Sequence, residues 1–101
     1  MHRTLIGAFL LAVASSAVQA GIIESACLRS DRDAATRALC GCIGNVADQT
    51  LSGSDQRRAA AFFKNPAKAQ EVRQSDRASD EAFWLRYKGF GDTAEAYCIQ
   101  G

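Results

Sequence analysis

The residues with the most chemistry to offer are four cysteines, Cys27, Cys40, Cys42 and Cys98. Cys40-Gly41-Cys42 lies inside a run that reads as a helix over residues 31–51. Residues two apart on a helix point about 200° from each other. The run therefore offers one thiol to each flank, with Cys27 upstream and Cys98 near the far end of the chain. Three chemistries use such residues: structural disulfides, thiol–disulfide exchange at a Cys-Gly-Cys pair, and thiolate ligation of zinc or copper. The spacing matches no paired Cys-x-x-Cys ribbon, which favours two disulfides. A Cys40–Cys42 bridge is disfavoured, because diverging side chains cannot meet the short Cβ separation a disulfide requires. If residues 21–29 and the Cys40 helix form a hairpin, Cys27 lies nearer Cys40. The expected pairs are Cys27–Cys40 and Cys42–Cys98, with Cys27–Cys42 and Cys40–Cys98 as the alternative.

Other residue types suggest binding rather than catalysis. Trp84, Tyr87 and Tyr97, near Asp80, Glu81, Asp92 and Glu95, could cage a cationic ligand by cation–π attraction. Against that, Phe62, Phe63, Phe83, Trp84, Tyr87, Phe90 and Tyr97 are among the few large apolar residues available to fill a core, with Trp84 beside the main stripe. Arg57, Arg58, Lys64, Lys68, Arg73 and Arg77 stand against only Glu71 and Asp76, a net of +4 over that stretch. Such a stretch is either a solvated helix face or a contact for anionic lipid or envelope polymer. The carboxylates sit mostly where helix caps and first turns want them, so no acid–base pair of the glycosidase kind is assigned. No catalytic residue, metal or cofactor is expected.

The N-terminus reads as a secretory leader over residues 1–20: His2 and Arg3, an apolar run from Leu5 to Val13, then Val18-Gln19-Ala20. Cleavage after Ala20 removes Arg3 from the 12 Lys and Arg, leaving 11 against 11 Asp and Glu, a net charge of zero. It also removes His2, the one histidine, and with it any Ser/His/Asp triad or His-ligated metal. The apolar run is too short for a span of about 20 residues, and no second run of that length follows. Glu24-Ser25-Ala26 before Cys27 lacks the aliphatic residue of a lipobox. The expected product is periplasmic or secreted, with no transmembrane span and no nucleic-acid partner.

These residues must be positioned by helices, since no segment alternates like a strand. A short helix over residues 21–29 is followed by the cap-like cluster Ser30-Asp31-Arg32-Asp33, then the cysteine helix with Leu39, Ile43 and Val46 on one stripe. Gly41 and Gly44 each cost about 1 kcal/mol in a helix interior, which suggests close approach of another backbone or a kink. Ser52 with Asp55 resembles a cap for a helix ending near Lys64, with Ala59, Phe62 and Phe63 inward. Pro66 suits the first turn of the next helix, which holds Ala69 and Val72. Ser79 can cap the last long segment, where Phe83, Tyr87, Phe90, Ala94 and Tyr97 repeat at spacings of four and three. Gly89-Phe90-Gly91-Asp92 interrupts it, implying two helices or one with a bend.

Cys40-Gly41-Cys42, residues 52–60 (SGSDQRRAA) and residues 75–84 (SDRASDEAFW) resemble a family of short exported bacterial proteins. Its members are described as hypothetical or as an arginine transporter. The resemblance covers nearly all of the chain after the leader and brings no defined binding or catalytic residue. It implies at most a soluble accessory binding a cationic amino acid such as arginine, because a transporter must span the membrane.

The sequence thus predicts an all-α single domain over residues 21–101, a bundle of about five helices stapled by two disulfides. Its expected role is that of a binding or structural module of the cell envelope, not an enzyme. It would contact an anionic surface or a partner protein, with a small cationic ligand as the alternative.

Overall fold

The computed structural model describes residues 21–99, so the leader and its cleavage point lie outside the described residues. Five helices follow one another: α1 (Ile22–Leu28), α2 (Arg37–Thr50), α3 (Gly53–Lys64), α4 (Ala67–Arg73) and α5 (Ala78–Cys98). Each forms where apolar residues recur at helical spacing. Each stops where a cap or a proline takes over the free backbone groups.

The cysteine helix begins later than residue 31. Thr36 Oγ1 accepts a hydrogen bond from Leu39 N at 3.1 Å, and that cap starts α2. Residues 31–34 are exposed and do not join the helix, so the Ser30–Asp33 cluster lies in a loop that ends in a turn at residues 33–34. The Ser52 cap holds: its Oγ accepts from Asp55 N at 3.2 Å and opens α3. Pro66, at φ −59°, occupies the N-cap position of α4, while Asn65 Oδ1 accepts from Ala67 N at 3.2 Å.

Ser79 does not cap α5, because it already lies in the first helical turn, and the N-cap residue is Arg77. Ser75 stands in from outside the helix. Its Oγ accepts from Arg77 N at 3.1 Å and donates to Asp80 Oδ2 at 2.6 Å. The Gly89–Asp92 segment does not divide α5, which runs through both glycines without a break in its helical assignment. Stretches rich in glycine cost a helix propensity, but burial of Phe83, Phe90 and Ala94 along one side outweighs that cost.

The core is Ile23, Val46, Ala47, Leu51, Ala59, Phe62, Phe83, Phe90 and Ala94. Helix α1 packs on both α2 and α3, α2 packs on α5, and α4 lies against α5 and α3. Gly44 is what lets α1 approach α2: a Cβ built there would stand 2.9 Å from Glu24 Cβ and 3.4 Å from Glu24 Cα. Gly41 meets only the Glu24 carboxylate at 3.7 Å, ordinary contact. Cys40 thus faces α1, and Cys27–Cys40 closes with a Cα separation of 5.5 Å. Cys42, turned away from Cys40, bridges to Cys98 with a Cα separation of 5.8 Å. Among the described residues no cysteine is free, so the four sulfurs are spent on staples rather than on metal ligation. Disulfides of this kind persist in oxidising compartments rather than in a reducing cytosol.

Candidate functional site

The six basic residues singled out above fall into different environments. Arg58 is a structural side chain. Its guanidinium pairs with Asp80 and lies over the Phe83 ring, 4.5 Å from the centroid. Asp80, which also takes the Ser75 hydroxyl, is held below the usual carboxylate range by those two hydrogen bonds, Ser75 first and Arg58 second. A second cross-helix pair joins α3 to α5. Arg86 donates through Nε to Asp55 Oδ2 at 2.6 Å and through Nη2 to Asp55 Oδ1 at 3.1 Å. That two-point grip holds Asp55 low as well.

Arg57 and Lys64 are exposed and share one face of α3 with Ala60 and Ala61, at positions i, i+3, i+4 and i+7. Helix α1 crosses beside that face. Ala26, Arg29 and Ser30 join Arg57, Ala60, Ala61, Phe63 and Lys64 around an open groove of about 510 Å³. Ala26, Ala60, Ala61 and Phe63 give the lining its apolar part, and the exposed Arg29, Arg57 and Lys64 give it three cations. Arg32 lies over the Phe63 ring, 5.5 Å from the centroid. No acidic side chain is among the described residues that line it.

Lys68 belongs to a second, smaller hollow of about 330 Å³, with Arg58, Ala61, Phe62, Glu71 and Val72. There Glu71 offsets one of the cations. Arg73 and Arg77 are exposed at the end of α4 and just before α5. The basic stretch is therefore not one patch. The Asn65-Pro66 break separates Lys68 and Arg73 from the α3 face, whereas chain folding adds Arg29 and Arg32 to it. Arg29 was missed in the sequence because its place depends on α1 lying across α3, a contact no local spacing encodes.

The aromatic residues are mostly core. Tyr87 packs at 5.1 Å from Phe62, 5.3 Å from Trp84, 5.9 Å from Phe90 and 6.0 Å from Phe83, centroid to centroid. That burial pushes the Tyr87 hydroxyl up from its ordinary range, with Arg32 pulling weakly the other way. Tyr97 is 74% exposed and lies ten residues further along α5, about 15 Å in axial rise. Its inward place is taken by Cys98, tied to Cys42. Trp84 and Tyr87 thus adjoin, but Tyr97 does not join them around a common space, and the tyrosine between them is engaged on several sides.

The groove sets three exposed cations, Arg29, Arg57 and Lys64, beside apolar side chains. No described helix is long and apolar enough to cross a membrane, and no group of three or more His, Cys, Asp or Glu among the described residues is placed to hold a metal. Compared with protein families, curated proteins and solved structures, the chain matches none of them.

Proposed function

We infer that the protein is a small exported binding module that docks on an anionic surface of the cell envelope, with the α1–α3 groove as its contact face. The observation that carries this reading is the rim of Arg29, Arg57 and Lys64 with Arg32 close by, unopposed by any lining carboxylate. A chain of zero net charge after loss of residues 1–20 is neutral only on average. Concentrating cations on one face orients it toward negative charge, each contributing up to about 1 kcal/mol near an anionic surface. Export through the leader and residence in the periplasm or outside the cell belong to the same reading, and the disulfides are consistent with it.

The test is co-sedimentation of residues 21–101 with vesicles of phosphatidylglycerol and phosphatidylcholine at low and at physiological salt. Binding is expected at low salt and should weaken as the screening length shrinks to about 8 Å. Replacing Arg29, Arg57 and Lys64 by alanine should cut affinity by up to about fivefold per residue. Replacing Lys68 and Arg73 should matter less. Absence of binding at low salt, or equal loss from both sets, would overturn the reading.

A further inference from the structure

A rim of cations explains attraction to a surface, but it does not explain the floor. We propose that the groove seats one molecule of an anionic lipid, its phosphate on Arg29, Arg57 and Lys64 and part of one acyl chain along Ala26, Ala60, Ala61 and Phe63. This deepens the surface-docking reading and rests on it for the charge of the ligand. A groove of about 510 Å³ lies within the size range of sites that take a small organic ligand. Its apolar lining is three alanines, whose short side chains leave room between α1 and α3, together with the half-buried Phe63 ring.

Charge and shape point to the same occupant. A free phosphate would use the rim and leave the apolar floor wet. A neutral oil would cover the floor and leave three cations without partners. An amphiphile with an anionic head satisfies both, since arginine guanidinium presents paired donors that match phosphate oxygens. The methylene stems of Arg29, Arg57 and Lys64 extend the apolar wall while their charged ends stay in water. Arg32, stacked on Phe63, adds a fourth positive charge beside the same site.

The experiment is calorimetric titration of residues 21–101, disulfides intact, with octyl, decyl and dodecyl phosphate below their micelle concentrations, and with inorganic phosphate. One-to-one saturable binding is expected for the alkyl phosphates. Each added pair of methylenes should tighten it about three- to tenfold where the chain lies on the floor, and inorganic phosphate should bind at least tenfold more weakly than dodecyl phosphate. Ala61→Trp, at an exposed helix position where the fold is checked by circular dichroism, should fill the trough and weaken dodecyl phosphate at least tenfold. Affinities that ignore chain length, or that match inorganic phosphate, would overturn the lipid seat while leaving surface docking intact. Loss of vesicle binding by the wild type together with loss of alkyl phosphate binding would sink both.

Discussion

At the scale of residues, the charges that hold the helices together are as informative as the charges left free. Arg58 and Arg86 reach carboxylates 22 and 31 residues away. Neither pairing follows from local spacing, so Arg58 reads in the sequence as one more surface cation. Arg57, one residue earlier and turned about 100° around the helix, does stay at the surface. The paired carboxylates make stability depend on acid. Asp55 and Asp80 are both held below the ordinary carboxylate pKa of 3.8 in the folded chain. As pH falls, the unfolded chain takes up these protons first. The contribution is therefore complete above that ordinary value and is lost as pH drops through it toward the lower folded values. Urea midpoints should hold steady between about pH 7 and 5 and fall below about pH 4. Asp55→Asn should lower the midpoint at neutral pH and show a shallower fall in acid. The Arg86 side chain is 51% exposed, so the effect should also shrink in high salt. An acid fall as steep in Asp55→Asn as in the wild type would show that the Asp55–Arg86 pair is not its source.

At the scale of elements, the helices themselves were legible and their boundaries less so. Periodicity located the helices because most bury a stripe and α4 lays its part-buried Ala69 and Val72 against the core, and Ser52 was readable as a cap because its partner is three residues away. The start of α2 was not readable, because Thr36 competes with an equally cap-like Ser30–Asp33 cluster. What decides is which residues then find something to pack against. The glycines divide the same way. Gly44 is required by a neighbouring backbone, whereas a Cβ at Gly89 or Gly91 would meet nothing within 4 Å. Gly44→Ala gains about 1 kcal/mol of helix propensity but must push α1 off α2, an overpacking cost of about 1–3 kcal/mol. A lower melting temperature is expected, by several degrees in a chain of this size. Gly89→Ala and Gly91→Ala should each raise it, gaining about 0.5–1 kcal/mol by restricting the unfolded chain and favouring the helix. Thermal melts of the three variants decide the matter. A neutral Gly44→Ala would mean α1 yields freely, and a destabilising Gly89→Ala would mean α5 needs a bend there.

At the scale of the whole molecule, the two disulfides do different work. The opposed directions of Cys40 and Cys42 on one helix argued against a bridge between them, and an expected hairpin of α1 on α2 favoured the observed pairing over its alternative, whereas the groove, which needs α1 and α3 side by side, was not legible. Cys27–Cys40 joins residues 13 apart and is buried, with Cys27 4% and Cys40 0% exposed. Cys42–Cys98 joins residues 56 apart and is only half-buried, tying the end of α5 back to the centre of α2. On the chain-entropy account the shorter loop contributes about 3 kcal/mol and the longer about 4 kcal/mol. Thiol exchange needs access to a sulfur, so the two should not be reduced together. Limited dithiothreitol treatment of the native protein, followed by alkylation and peptide mapping, should label Cys42 and Cys98 before Cys27 and Cys40. The Cys42→Ala/Cys98→Ala variant should lose about 3–4 kcal/mol in urea unfolding yet keep α1 against α3. Because the groove is built by those two helices and by Cys27–Cys40, that variant should still bind dodecyl phosphate under conditions where it remains folded. The Cys27→Ala/Cys40→Ala variant, with α1 released, should lose binding even where circular dichroism shows the other helices intact. Simultaneous labelling of all four cysteines, or loss of binding with the outer disulfide alone, would mean that the molecule opens as one unit and the groove depends on α5.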